Sequence, residues 1–251
     1  MKYYYDLHLH SCLSPCADDE NTPNSLAGFA KLCELDIVAL TDHNSTLNCP
    51  AFFKACERYG VIPIAGMELT TSEDIHIVCL FPDLNSAMAF DEEIATHRMK
   101  IKNNPSIFGR QLVLDEYDET VCEIDELLSF ATDISVDDAP EMVEKFGGVC
   151  YPAHIDRSSN GIITVLGTLP PTPHFNVVEL KDRDKLDRLK AEHGLDGRYF
   201  VYSSDAHSLE MMSDAQNFVE LPDGLTGKEI AKALVEFFKN PNGGRNEGII
   251  S

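Results

Sequence analysis

No stretch of the 251-residue chain approaches the roughly 18 consecutive apolar residues that a membrane-spanning helix needs. The first residues, Met1-Lys2-Tyr3-Tyr4-Tyr5-Asp6, lack the apolar segment of an export signal. The sequence therefore predicts a soluble, unexported, cytoplasmic protein with no membrane partner. Cys-x-x-Cys pairs are missing as well. The eight cysteines (12, 16, 33, 49, 56, 79, 122 and 150) are spread over a chain too long to need disulfide staples, which predicts reduced thiols. Cys12 and Cys16 have no second pair at zinc-ribbon spacing. Basic residues are scarce, 20 against 42 acidic ones, and the formal net charge is −22. That balance argues against a surface for long nucleic acid, whose binding requires many neutralised phosphates, but leaves a short phosphorylated substrate open. Internal repeats and low-complexity linkers are absent, and 43% hydrophobic content suffices for a full core. One domain over 1–251 is the simplest reading, with no obligate protein partner evident.

Short apolar segments alternate with helical patterns. Strands are predicted at 3–7, 37–40, 61–65, 75–81, 149–152, 177–180 and 199–203, with a further short one at 216–221. The fourth lies close enough to the third to be its hairpin partner or its next neighbour. Helices are predicted from Thr22-Pro23 to about residue 34, and at 50–59, 85–99, 124–132, 137–146 and 226–239. The periodic pattern breaks down over 100–120, where 103–109 reads as a loop, and the Gly- and Asn-rich 240–251 reads as a loose tail. This alternation predicts a parallel, barrel-like α/β fold.

The chemistry-bearing residues gather at the strand ends, where a (β/α) barrel builds its site. In Asp6-Leu7-His8-Leu9-His10 two imidazoles stand two apart in an extended segment, and so on one face. Thr41-Asp42-His43-Asn44, Gly66-Met67-Glu68, His76, Ala153-His154 and Ser204-Asp205-Ala206-His207 follow. Singly, each histidine is more often a surface or satisfied core residue. Six at successive strand ends, with Glu68 and Asp205, offer more ligands than one tetrahedral ion can use, and the mixed imidazole and carboxylate set suits zinc, manganese or iron. A multinuclear centre is the expectation.

This motif set, in this order and over nearly the whole chain, resembles the PHP family, named for polymerase and histidinol phosphatase. The resemblance implies a distorted seven-stranded (β/α)7 barrel with two to three divalent metal ions that hydrolyses phosphoesters with metal-activated water. Carried over residue by residue, it implies that His8, His10, Glu68 and Asp205 hold one ion. Glu68 would bridge to a second bound by His76 and His154, and a third would take His43 and His207. The last ligand falls in the connection before Thr22-Pro23, where Asp18 and Asp19 are both available; counting back from Thr22-Pro23 favours Asp18. Glu68, Asp205 and His207 are then the catalytic candidates; the general acid is either His207 or His43, a role that coordination would compromise, or a metal-bound water. Asp42 is expected to orient an imidazole. Three dications against three carboxylates leave a formal local charge of about +3, enough to draw phosphate into an acidic protein.

Arg157 is the candidate phosphate contact, with an ordinary surface ion pair to Asp156 or a neighbour as the alternative, and Lys181 is a weaker candidate. His97, His174 and His193 lie outside the motifs. Arg98, Lys100 and Lys102 form a small basic run, either a solvated helix face or the edge of a cleft. Within the family, inserted segments accompany nucleotide-directed enzymes, and 82–148 is a candidate helical cap. The expected substrate is a small phosphorylated compound, a nucleotide or a short oligonucleotide. The competing readings are a histidinol-phosphatase-like monoesterase and a non-catalytic metal-binding module. An amidohydrolase-like site typically uses a metal-bridging lysine, which only Lys181 would offer at a strand end.

Overall fold

The computed structural model describes residues 1–241; the predicted tail falls, from residue 242 onward, outside the described residues. The chain runs β1 (Lys2–Leu9), α1 (Pro23–Leu32), β2 (Ile37–Leu40), α2 (Cys49–Tyr59), β3 (Ile62–Thr70), β4 (His76–Phe81), α3 (Leu84–His97), α4 (Pro105–Phe108), β5 (Leu112–Leu114), β6 (Thr120–Glu123), α5 (Ala139–Lys145), β7 (Val149–Pro152), α6 (Ile162–Leu166), β8 (Val177–Glu179), α7 (Leu186–His193), β9 (Tyr199–Val201), β10 (Phe218–Glu220) and α8 (Gly227–Lys239). Local chemistry sets the helix ends. Thr22 caps α1 by accepting from the Ser25 N–H, with Pro23 in the first turn. Gly60, at φ 70°, ends α2 in the left-handed conformation. Thr226 and Glu229 form a reciprocal capping box at the start of α8.

Six strands form one sheet in the order β10-β1-β2-β3-β4-β7. β1, β2 and β3 are parallel, whereas β4 is antiparallel to both β3 and β7, and β10 to β1. The sheet is therefore mixed rather than parallel throughout. The reason is loop length: residues 71–75 between β3 and β4 are too few for a crossover, so the chain turns back as a hairpin. β8 and β9 pair in parallel. The Ile155 N–H donates to the Glu179 carbonyl at 2.9 Å, and Leu9 bridges Ala206, so this pair meets the ends of β7 and β1. The sheet curls round a core of Tyr3, Tyr5, Leu7, Ile64, Tyr151 and Val201, packed against Leu234 and Phe238 of α8. A second core, including Leu26, Phe52, Phe90 and Val143, joins the helices to the other face.

The segment after α3 departs most from the sequence reading. Residues 100–120 contain α4 and β5, and β5 pairs with β6. No helix forms over 124–132. The Gln111 side chain donates to the carbonyls of Ile124 and Glu126 and accepts from the Leu128 N–H, which holds that stretch extended. Arg98 is no cleft edge: its guanidinium is buried against Asp91 at 3.1 Å and donates to the Asn44 carbonyl.

Candidate metal centre

Pairing between β1 and β2 runs Tyr5 to Ile37 and Asp6 to Val38, then Leu9 to Leu40, so β1 carries one extra residue. This bulge changes the alternation of the strand. Tyr3, Tyr5 and Leu7 point into the barrel core and Leu9 into the opposite core, which leaves His8 and His10 facing the cluster. Asp6, fully buried, supports the bulge through the His8 N–H at 3.4 Å and the Ser204 N–H at 3.0 Å. His43 follows β2, Glu68 lies in β3, His154 follows β7, and Asp205 and His207 follow β9. His76 begins β4 instead of ending it, because the start of an antiparallel strand lies at the same end of the sheet as the finish of the parallel ones. Asn44, His154 and Asp205 have φ of 47°, 27° and 49°, a concentration of left-handed non-glycine residues at one site.

Glu68 sits at the centre. Its carboxylate lies 3.2 Å from His8 Nε2, 3.3 Å from His10 Nε2, 3.1 Å from His43 Nδ1, 2.9 Å from His76 Nδ1 and 3.1 Å from His154 Nε2. Asp205 Oδ1 is 3.5 Å from His8 Nε2 and 3.3 Å from His10 Nε2. Among the described residues, three sets bring donor atoms close enough to share an ion: His8, His10, Glu68 and Asp205; His43, Glu68 and His76; and His10, His43 and His207. The first is the four-residue set the motifs imply. In the second, His43 stands beside Glu68 and His76, while His154 contacts the same carboxylate from another side. The third draws in His10 rather than Asp18. Asp18 is exposed and lies outside these sets, although its N–H donates to the His207 carbonyl at 2.9 Å.

Hydrogen bonds aim the imidazoles. Both oxygens of buried Glu179 stand 3.0 Å from His8 Nδ1, and one accepts the His154 N–H at 3.1 Å. Motif reading missed this residue. Its signal was a lone charge within the apolar run Val177-Val178-Glu179-Leu180. Asp42 touches no imidazole directly: it accepts from the Ser14 hydroxyl at 2.7 Å, whose oxygen lies 2.9 Å from His10 Nδ1. On the open side Arg157 Nη1 contacts Asp205 Oδ2 at 2.7 Å, so its observed partner is Asp205. Lys181 Nζ donates to the Ser204 carbonyl and lies 3.9 Å from Asp205 Oδ2. Both cations line a cavity of about 520 Å³ with Ser158, Lys185, Asp205 and His207.

Electrostatics separates the groups. Burial opposes a charge on His8 and His10, but the carboxylates outweigh it, raising His8 well above the ordinary range and His10 to about 9. Burial and cationic neighbours depress His43 strongly, and His207 to about 4. Glu68 and Asp205, despite burial, are held well below the usual carboxylate range by the surrounding imidazoles. The donor set fits divalent metal. Glu68 Oε2 and Asp205 Oδ1 are buried without a hydrogen-bond partner, and His8 Nε2 and His10 Nε2 face each other at 3.2 Å. Two nitrogens so placed need a proton or a metal cation between their lone pairs.

The buried imidazoles and carboxylates at one end of a curled sheet form a cluster suited to divalent metal. A family model of the PHP domain matches residues 6–157, and the chain belongs to that family. No curated protein matches its sequence. Among solved structures, the lesion-specific endonuclease Q of Pyrococcus furiosus superposes with a TM-score of 0.63 at 21% identity, over 94% of this chain and 56% of that one. Endonuclease Q bound to a 27-mer duplex with an abasic lesion at its active site gives 0.61 at 20% identity, over 93% and 56%. An amidohydrolase of Chromobacterium violaceum with bound sulfate gives 0.55 at 18% identity, over 88% and 92%. The chain thus spans little more than half the length of endonuclease Q. Among the described residues no helix is long and apolar enough to cross a membrane.

Proposed function

We propose that the chain is a metal-dependent phosphoesterase acting on a small phosphorylated compound, a nucleotide or a short oligonucleotide. The observation that carries this reading is the pairing of a buried, metal-suited cluster with two cations, Arg157 and Lys181, on its open side. His8, His10, Glu68 and Asp205 would hold one ion; Glu68 with His76 and His154 a second; His43 and His207 a third, on the side where His10 and not Asp18 stands close. Bound zinc, manganese or iron would bring the pKa of water towards neutrality and offset the charge on phosphoryl oxygens. Glu68 gathers five imidazoles round one point, Glu179 and Ser14 aim two of them, and Arg157 and Lys181 receive the substrate's anionic oxygens. His207, its pKa lowered to about 4, is neutral at neutral pH and so free to offer a lone pair to a cation at the cavity wall. The chain is read as a single distorted (β/α)7 barrel, with 82–148 as the wall that limits what enters.

The structural relatives widen the substrate question. The expectation against long nucleic acid rests on net charge alone, while endonuclease Q, of similar fold, is seen with duplex DNA. The C–N hydrolase reading raised by the amidohydrolase is less favoured, because Lys181 is directed at Ser204 and Asp205, and a glutamate occupies the centre of the cluster.

The test is phosphate release or strand cleavage by protein reconstituted separately with manganese, zinc and iron. The substrates are AMP, a nucleoside 3′,5′-bisphosphate, histidinol phosphate, a short RNA and a duplex with an abasic site. Turnover on a phosphoester supports the proposal; cleavage of an amide and of no phosphoester overturns it. Arg157→Ala is expected to raise KM about tenfold while kcat changes little, the signature of lost uniform binding to phosphate. Unchanged KM and kcat would remove Arg157 from the site.

A further inference from the structure

The side chains that hold His10 form a closed chain of hydrogen bonds. Asp42 accepts from the Ser11 N–H at 2.7 Å, from the Ser11 hydroxyl at 2.6 Å and from the Ser14 hydroxyl at 2.7 Å. Burial raises the pKa of Asp42, but three donors converge on its oxygens, so it stands as an acceptor and the Ser14 hydroxyl proton is directed to it. The Ser14 oxygen is then left only as an acceptor, and two nitrogens approach it: the His43 backbone N–H at 3.1 Å and the ring nitrogen His10 Nδ1 at 2.9 Å. A hydroxyl with one donated and two accepted bonds is saturated. Asp42, Ser11 and Ser14 are all buried to 1% exposure or less, so water does not compete.

The relay also has an anchor. The Asn48 side chain donates to the Ser11 hydroxyl at 2.9 Å and to the Leu112 carbonyl at 3.0 Å, and accepts from the Leu114 N–H at 2.9 Å. The β5–β6 hairpin is thereby tied through Asn48 to the network beneath His10.

We propose that Ser14 is a positioning residue that, with its own proton held by Asp42, locks His10 as the Nδ1–H tautomer and so directs the Nε2 lone pair at the point shared by His8, Glu68 and Asp205. The proposal rests on the reading of that point as a metal site, but not on the identity of the substrate. Among the described residues, the Ser14 hydroxyl bonds to Asp42, His10 and the His43 N–H, so its effect on the cluster passes through His10. The sequence signal is weak, since Ser14 is four residues beyond His10 in a polar connection.

The experiment uses the zinc-loaded full chain and three variants: Ser14→Ala, Ser14→Thr and Asp42→Asn. Heteronuclear NMR of the imidazole nitrogens reads the His10 tautomer and the exchange of its Nδ1 proton, and competition with a chelator reads zinc affinity. In the native protein and in Ser14→Thr, a protected Nδ1–H on His10 is expected. In Ser14→Ala that proton exchanges rapidly and zinc affinity falls about 10- to 100-fold. Asp42→Asn, which loosens the hold on the Ser14 proton, is expected to give an intermediate loss. Ser14→Ala with a protected His10 Nδ1–H and native zinc affinity would overturn the proposal. Loss of zinc affinity without any change in the His10 resonances would overturn it too, by showing that Ser14 acts otherwise. If Ser14→Ala does not fold, Asp42→Asn decides through the same resonances. Absence of phosphoesterase activity in the native protein, with these NMR results as expected, would count against the proposed function and leave the tautomer assignment standing.

Discussion

Replacing Glu68 with alanine is expected to abolish turnover, a loss on the order of 10³ or more, with the fold retained. The carboxylate stands within 3.3 Å of five imidazole nitrogens, so no other side chain touches as much of the cluster. Two of the three donor sets, those with Asp205 and with His76, include it. Its removal takes a ligand from both sets at once, and the charge left behind is that of crowded histidines, which repel a cation. The fold should survive because Glu68 belongs to neither hydrophobic core, while its flanking residues Met67 and Leu69 do. Asp205→Ala tests the same centre from the other side. It removes one donor set's carboxylate and also frees Arg157, whose guanidinium then lacks its 2.7 Å partner. Rates on the preferred phosphoester, bound metal per chain and circular dichroism decide the matter together. Full activity in either variant, with native metal content, would show the site to be misassigned. Loss of activity with loss of secondary structure would call for Glu68→Gln, which keeps the volume and removes the charge.

Much of this site was legible from the sequence because its residues stand next to strands of continuous apolar character. Ile37-Val38-Ala39-Leu40 announces β2 by composition alone, and the polar Thr41-Asp42-His43 that ends it is conspicuous for that reason. Caps were equally plain, since Thr22-Pro23 and Gly60 each have one conformational use. What did not show was anything that depends on pairing. The bulge that turns His8 and His10 to the same side as Leu7 exists only in the register between β1 and β2. The partner of Asp42 is set by the fold of the 11–21 connection, so the sequence leaves open which imidazole it serves, and three-dimensional contact gives Ser14 and, through it, His10. Residues 124–132 looked helical by periodicity, yet a single glutamine, Gln111, satisfies three backbone groups there and tertiary contacts override the pattern.

Stripping the metal is expected to abolish activity and to lower the melting temperature by about 5–15 °C, with both restored on adding back the ion. At a free ion concentration 100 to 1,000 times the dissociation constant, linkage contributes about 2.7–4.1 kcal/mol per site. In a chain of this size each kcal/mol moves the midpoint by about 2–4 °C. The metal-free protein still has to balance buried like groups, and it does so with protons: His8 is raised far above its ordinary pKa and His10 to about 9 by the carboxylates around them. The sign of the pH dependence follows. At neutral pH the facing Nε2 atoms of His8 and His10 hold a proton between them that an entering cation displaces, so metal affinity rises with pH towards about 9, where His10 titrates, and weakens on acidification. Calorimetry in two buffers of different ionisation enthalpy should therefore show protons released on uptake. Chelation that leaves melting temperature and activity unchanged, or uptake that releases no protons, would mean that Glu68 and its five histidines are held together by hydrogen bonds alone and that the cluster is not where the ion binds.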